Sequence, residues 1–259
     1  GQIAFGIGDI DSNPDMLEIF SYCRDNGVIP NVTINGAGLT PEWAQALAFE
    51  CGAIAVSLYD TDVTFNAIKL LTDAGMTQVN IHFMLAEQTY DRAVQLLLER
   101  TTDSRLAKMN AIVFLGLKPK GRSKAHYTPL SFAKFTEIVK LALNAQISMG
   151  FDSCSAFKFL NAVKYLQLDG VLPNDPSYEY YEQVSEPCES TCFSSYINTE
   201  GKFFPCSFME GEHEWEEGLD VVSCSDFVND IWNHERVEQF RKHVIEGHKN
   251  CKNCVHYKI

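Results

Sequence analysis

Val28-Ile-Pro-Asn-Val-Thr-Ile34-Asn35-Gly36, followed by Thr40-Pro41-Glu42-Trp43-Ala-Gln-Ala-Leu47-Ala-Phe49, is one strand, one turn and one helix in succession. The first part is an apolar, β-branched run closed by Asn-Gly. In the second, Thr40 stands as an N-cap ahead of a proline at the first helical position, and the apolar residues through Phe49 give that helix a buried side. Similar apolar runs occur at Ile3 to Phe5, Ile54 to Leu58, Gln78 to Leu85, Ala111 to Leu117 and Ile147 to Phe151. With the Val28 run included, the first four, at Ile3, Val28, Ile54 and Gln78, begin about 25 residues apart, which is the period of a repeating βα unit and not of a sandwich or a helical bundle. About six parallel strands with crossover helices are therefore expected.

The intervening segments are helical by their own signals. Asp73-Ala-Gly75 closes a helix through Phe65, Ile68, Leu70 and Leu71; Thr89-Tyr-Asp-Arg opens another through Ala93, Val94, Leu96, Leu97 and Leu98. Phe132, Phe135, Ile138 and Leu141 recur at helical spacing within Leu130 to Leu143. The pattern breaks at Leu172-Pro-Asn-Asp-Pro176, and an aromatic and acidic stretch, Tyr178-Glu-Tyr-Tyr-Glu182, follows. The expected domains are 1–176 and 177–259. Six strands in this order suit either an open doubly wound sheet or an incomplete (β/α) barrel.

In both architectures ligands gather at the carboxyl ends of the strands, so the residues closing each run are the candidate contacts. They are Gly6, Gly8 and Asp9, then Asn35 and Gly36, Ser57 with Tyr59 and Asp60, His82 to Glu87, and Lys118 to Arg122. Glycines there either let backbone approach a ligand or serve a tight turn, and Asp9 can accept from an amine. His82 is either a hydrogen-bonded interior histidine or a ligand contact. Lys118, Lys120 and Arg122 form either a solvated loop face or a cradle for a substrate carboxylate.

A second signal lies in the cysteines. Cys188 and Cys192, then Cys206, flank Tyr196-Ile197, Asn198-Thr-Glu-Gly201 and Phe203-Phe204, a hairpin pattern, and Cys251-Lys-Asn-Cys254 lies near the end. Thiolates two residues apart reach one metal centre from a tight turn, and a second pair completes a four-sulfur site. The set Cys188, Cys206, Cys251 and Cys254 suits either zinc or an iron-sulfur cluster, with Cys192 or Cys154 as possible substitutes. Nine cysteines in 259 residues, without a signal peptide, make disulfides the weaker account, and Cys23 and Cys51 read as free core thiols.

With 46% hydrophobic residues the chain can bury a sizeable core, and its formal charge of −13 argues against nonspecific binding to nucleic acid or anionic membranes.

Phe5-Gly6-Ile7-Gly8-Asp9, Asn13-Pro14-Asp15, the Val28 to Ile34 strand with Asn35-Gly36, Ala55-Val-Ser57-Leu-Tyr-Asp and Pro119-Lys-Gly121-Arg122 together resemble the second and later strands of radical S-adenosylmethionine (SAM) enzymes. Ile34 stands where that family often has threonine. Cys188, Gly201 and Cys206, with Cys251 and Cys254, resemble the auxiliary-cluster domains called SPASM and, in its shorter single-cluster form, twitch. The resemblance implies a partial (β/α) barrel followed by a small cysteine-rich domain with a β-hairpin. It implies SAM binding at Gly6, Gly8, Asp9, Asn35, Ser57, His82 and Arg122, and an auxiliary 4Fe-4S cluster for electron transfer. It also implies a 5'-deoxyadenosyl radical that abstracts hydrogen, on a peptide or protein substrate or on a small alcohol.

The family's SAM-cleaving Cys-x3-Cys-x2-Cys motif is absent from these 259 residues. The reading therefore expects the chain to lack the first strand and the second 4Fe-4S cluster of a longer protein, the alternative being a relative without radical chemistry. The further expectations are a flavodoxin or ferredoxin as electron donor, a cytoplasmic setting and no membrane partner. The rival reading is an inactive barrel with a structural four-cysteine zinc site serving as an interaction module; in a third, the cysteines bind nothing.

Overall fold

The computed structural model describes residues 1–118, 120, 126–174, 176–212 and 214–247; Arg122, Cys251 and Cys254 lie outside the described residues. The chain forms two compact units, one of Gly1–Gly116 with Leu130–Asp152, the other of Leu117–Pro129 with the chain from Ser153 onward. The pattern break at 172–176 lies inside the second unit.

In the first unit β1 (Gln2–Gly6), β2 (Ile29–Ile34), β3 (Ile54–Ser57), β4 (Val79–Leu85), β5 (Ala111–Gly116) and β6 (Met149–Phe151) form one sheet in the order β1-β2-β3-β4-β5-β6, every pair parallel. Between them run α1 (Met16–Asp25), α2 (Pro41–Glu50), α3 (Thr61–Asp73), α4 (Tyr90–Thr102) and α5 (Phe132–Asn144). A doubly wound sheet reverses its strand order at a switch point, and this one never does. Right-handed crossovers that always advance in one direction place all five helices on the same face, the winding of a (β/α) barrel.

The register shows which residues form that covered face. Rows of paired positions carry Phe5, Val32, Ile54 and Val79, then Ile34, Val56, Ile81, Ile112 and Met149, then Phe83, Phe114 and Phe151. Helix residues meet them: Phe20 of α1 stacks on Phe5 at 5.2 Å, and Phe135 of α5 on Phe151 at 5.2 Å. Ile34, Ile54, Val56, Ile68, Ile81 and Phe114 are essentially inaccessible, and each such side chain contributes roughly 1.5–3 kcal/mol. Strand β6 is shorter than the apolar run suggests. Ile147 N–H donates to the Ala142 carbonyl at 2.9 Å after Gln146 turns into a left-handed conformation, so the start of that run finishes α5.

Local signals act where the sequence places them. The Thr40 hydroxyl accepts from Trp43 N–H at 3.3 Å to cap α2, and an Asp60 carboxylate oxygen accepts from Val63 N–H at 2.9 Å to cap α3. Glu87 joins two elements: it accepts from Ser131 N–H at 2.7 Å, at the head of α5, and pairs with Lys134 at 2.6 Å.

In the second unit α6 (Ala156–Leu168) and α7 (Tyr178–Gln183) pack together, with Phe159 and Tyr181 rings 6.0 Å apart. The expected hairpin is present as β7 (Tyr196–Ile197) and β8 (Lys202–Phe204), antiparallel, with a third strand β9 (Leu219–Asp220) added. Asn198 Oδ1 accepts from Glu200 and Lys202 N–H, and Gly201, at φ +72°, completes the turn. A π-helical turn, Phe227–Trp232, and α8 (Glu235–Gly247) follow. Phe203, Phe204, Met209, Trp215, Ile231 and Val237 form the buried core. Among the described residues no helix is long and apolar enough to cross a membrane.

Gly36 and Gly27 separate two costs of losing glycine. Both have positive φ, +82° and +71°, but a Cβ on Gly36 would sit 3.0 Å from Ala67 Cβ and 3.1 Å from Val56, whereas one on Gly27 meets nothing within 4 Å among the described residues. Gly36→Ala is expected to cost more than about 1 kcal/mol and more than Gly27→Ala; equal losses in urea unfolding would show that the close approach contributes nothing.

The Lys134 and Ser131 hydrogen bonds hold the Glu87 carboxyl down from its usual 4.5 to about 2. A carboxylate with a depressed folded pKa stabilises above its unfolded value, and that contribution fades as pH falls from 4.5 toward 2. The stability gap between the wild type and Glu87→Gln is expected to shrink over this window; a pH-independent gap counts against the tie.

Candidate functional site

The sheet face opposite the helices differs in chemistry. One row crosses it as Gly6, Thr33, Ala55, Asn80 and Ala111, the next as Ser57, His82, Val113 and Gly150. Most of these residues are small or polar and half-exposed, whereas the covered rows are aliphatic and aromatic. The period of two in a strand produces this division: Asn80, His82 and Met84 alternate with Val79, Ile81, Phe83 and Leu85. Thr33 and Asn80, not singled out from sequence, stand in the same row as Gly6. The alternation within β2 and β4 was the signal for them.

At the β1–β2 end, four candidates meet. Ile7 N–H donates to the Thr33 carbonyl at 3.1 Å, and Asn35 N–H to the Gly8 carbonyl at 3.3 Å, so the two chains stay paired beyond the strands. The Asn35 amide donates to an Asp9 carboxylate oxygen at 2.6 Å, and its own oxygen accepts from Ala37 N–H at 2.9 Å. An exposed carboxylate is thus held at the strand end by a neighbouring amide. Gly6 and Gly8 have no left-handed φ, and among the described residues a Cβ on either would meet nothing within 4 Å. No tight turn requires them, and what they leave is open space beside Asp9.

Ser57 and His82 are register partners on β3 and β4, and Leu58 N–H donates to the His82 carbonyl at 3.0 Å. His82 is half-buried, and its imidazole has no hydrogen-bond partner among the described residues. Burial pushes its pKa below the ordinary value and so favours the neutral ring. Three strand spacings, on the order of 14 Å, separate β1 from β4, so Asp9 and His82 address different parts of any ligand on this face. Asp60 and Glu87 hold helix starts, as described above.

In the second unit Lys120 has a structural task. Its ammonium donates to the Phe208 carbonyl at 2.9 Å and to the Glu210 carbonyl, and lies 3.7 Å from the Glu212 carboxylate. Lys118 is buried, with its ammonium 5.1 Å from the centre of the Phe208 ring. These contacts differ from both sequence readings, a solvated face and a substrate cradle.

Cys154, Cys188, Cys192, Cys206 and Cys224 all belong to the second unit, are partly accessible and are in no disulfide. Cys188 and Cys192 flank a turn in which the Glu189 carbonyl accepts from Cys192, Phe193 and Ser194 N–H at 2.9–3.3 Å. Ser190 Oγ lies 3.3 Å from Cys188 Sγ. Burial chiefly raises the Cys192 pKa, Arg241 opposes, and the neighbouring Cys188 raises it further. Cys206 packs against the aromatic core of the unit, as does Cys224, whose thiol is engaged by the Val221 carbonyl at 3.1 Å. Cys51 of the first unit is a buried thiol pushed up to about 12 by desolvation.

Among the described residues no three His, Cys, Asp or Glu side chains are grouped closely enough to hold a metal, and two of the four expected ligands lie outside them. The surroundings nevertheless suit a sulfur-rich group. A hydroxyl stands beside Cys188 Sγ, and the indole N–H of Trp215, in the core against which Cys206 packs, is fully buried and has no acceptor among the described residues.

Residues 188–255 match the family model of SPASM, an iron-sulfur cluster-binding domain. A search of curated proteins finds no match. Among solved structures, anSMEcpe with bound AdoMet and the Cp18Cys peptide is similar over 98% of this chain and 73% of that one, at 12% identity and a TM-score of 0.62. Streptococcus suis SuiB bound to the precursor peptide SuiA is similar over 93% of this chain and 56% of that one, at 12% identity and a TM-score of 0.64. SuiB bound to S-adenosylmethionine is similar over the whole of this chain and 60% of that one, at 11% identity and a TM-score of 0.58. The chain therefore spans little more than half the length of SuiB, and likeness at this identity is likeness of fold. The chain thus shares its fold with these structures, and its residues 188–255 carry the match to SPASM, an iron-sulfur cluster-binding domain.

Proposed function

We propose that this chain is the larger part of a radical SAM enzyme that abstracts hydrogen from a peptide or protein substrate, with an auxiliary 4Fe-4S cluster in its C-terminal domain for electron transfer. The observation that carries the reading is the SPASM match over a segment containing Cys188, Cys206, Cys251 and Cys254, in a chain whose other unit is a singly wound parallel sheet with one polar face. Peptides occupy two of the structurally similar proteins, anSMEcpe and SuiB, which supports a peptide over a small alcohol. The SAM-cleaving cysteine motif would come from sequence outside these 259 residues. A cytoplasmic setting with a flavodoxin or ferredoxin as electron donor completes the reading.

When bound, SAM supplies the hydrogen-abstracting radical and the auxiliary cluster supplies a one-electron site. The chain contributes binding and orientation. Asp9, held by Asn35, would accept from the SAM amine beside Gly6 and Gly8, while Ser57 and His82 would serve the remainder of the ligand. A neutral His82 ring presents one donor and one acceptor to it. Cys188, Cys206, Cys251 and Cys254 would hold the auxiliary cluster through protein thiolates alone, a ligand set that suits electron transfer better than substrate ligation.

Iron, sulfide and zinc analysis of the anaerobically purified chain tests the second site. About four irons and four sulfides per chain are expected, most of them lost in Cys206→Ala and Cys254→Ala. One zinc without sulfide would replace this reading with the structural module, and a metal-free chain would refute both.

Gly8→Ala tests the first site. The substitution is expected to change unfolding stability by less than about 0.5 kcal/mol while weakening SAM binding in calorimetry at least tenfold. Unchanged binding would remove the β1 edge from the SAM site.

A further inference from the structure

The two cysteine segments of the SPASM domain are far apart in sequence, and one side chain links the first of them to the helix that precedes the second. Arg241, on α8, donates from Nε to the Thr191 carbonyl at 2.6 Å and from Nη2 to the Trp232 carbonyl at 2.8 Å, with its guanidinium 4.9 Å from the centre of the Trp232 ring. Thr191 lies inside the Cys188–Cys192 turn. It is fully buried, its φ of +61° is one that a β-branched residue rarely adopts, and its N–H donates to the Ser194 carbonyl at 2.7 Å. Such a conformation persists only when its surroundings determine it, and the Arg241 fork is one of the contacts that do so. Helix α8 ends at Gly247, four residues before Cys251.

We propose that Arg241 is a positioning residue of the auxiliary-cluster site, fixing the Cys188–Cys192 turn to α8 and placing a permanent positive charge beside Cys192. The proposal rests on the auxiliary-cluster reading above. A planar fork with two directed bonds and an aromatic stack is a task that lysine does not reproduce. A fixed positive charge near an iron-sulfur cluster favours its reduced, more negative state.

The same unit contains an internal control. Arg236, also on α8, donates to the Glu214 carbonyl and to the Glu217 carbonyl at 3.0 Å and lies 4.4 Å from the centre of the Trp215 ring. It performs the same kind of tie at a segment without cysteine.

The experiment measures iron and sulfide per chain, together with the cluster's midpoint potential by redox titration monitored by electron paramagnetic resonance. Wild type, Arg241→Lys, Arg241→Gln and Arg236→Lys are purified as the full chain without oxygen. Arg241→Lys and Arg241→Gln are expected to hold at most half the wild-type iron and sulfide, and the cluster remaining in Arg241→Gln is expected to titrate at a more negative potential. Arg236→Lys is expected to keep the wild-type content and potential. Wild-type content and potential in both Arg241 variants would overturn the positioning role alone, as would an equal loss in Arg236→Lys, which would show general destabilisation. A wild-type chain without iron and sulfide would overturn the cluster reading and this proposal together.

Discussion

The structure of the first unit depends on one constraint: six strands are paired in parallel, each with its sequence neighbour, and the pairing always advances in one direction. Parallel neighbours need crossover helices, and right-handed crossovers without a reversal put every helix on one side. The covered side then accounts for the nearly continuous burial from Ile34 through Val56, Ile81 and Phe114. The opposite side is relieved of that demand, and only there can the strands place Thr33, Asn80, Ser57 and His82. The chemistry of the polar face is a consequence of the winding.

The second unit is organised differently. Its strands are two or three residues long, too short to bury much apolar surface, and its order comes from an aromatic core around Phe203 and Trp215 and from arginines that bridge backbone carbonyls. Arg236 and Arg241 each combine carbonyl hydrogen bonds with a stack on tryptophan. Small cysteine-rich domains commonly gain part of their stability from a bound group, and a domain matched to an iron-sulfur family fits that pattern.

Much of this was legible beforehand because the signals were local. Thr40 and Pro41 marked the head of α2, and Asn198 to Gly201 marked the hairpin turn, since capping and turn chemistry act over three or four residues. The strand-end residues Gly8, Asp9 and Asn35 were nameable because parallel α/β folds gather ligands at one edge. Lys120 and Arg241 were not legible in the same way. Their partners are 88 and 50 residues away, and nothing in a lysine's or an arginine's sequence surroundings states which distant carbonyl it will meet.

The sequence alone determined the βα period, the strand and helix identities and the two cysteine segments, because periodicity, caps and turns are written into adjacent residues. Tertiary structure decided three things: that the sheet is singly wound, that Gly6 and Gly8 leave space and serve no turn, and that Arg241 holds the Cys188–Cys192 turn to α8. Each depends on which strand, side chain or carbonyl lies across a gap that the chain closes only on folding, and hydrophobic pattern is blind to that choice.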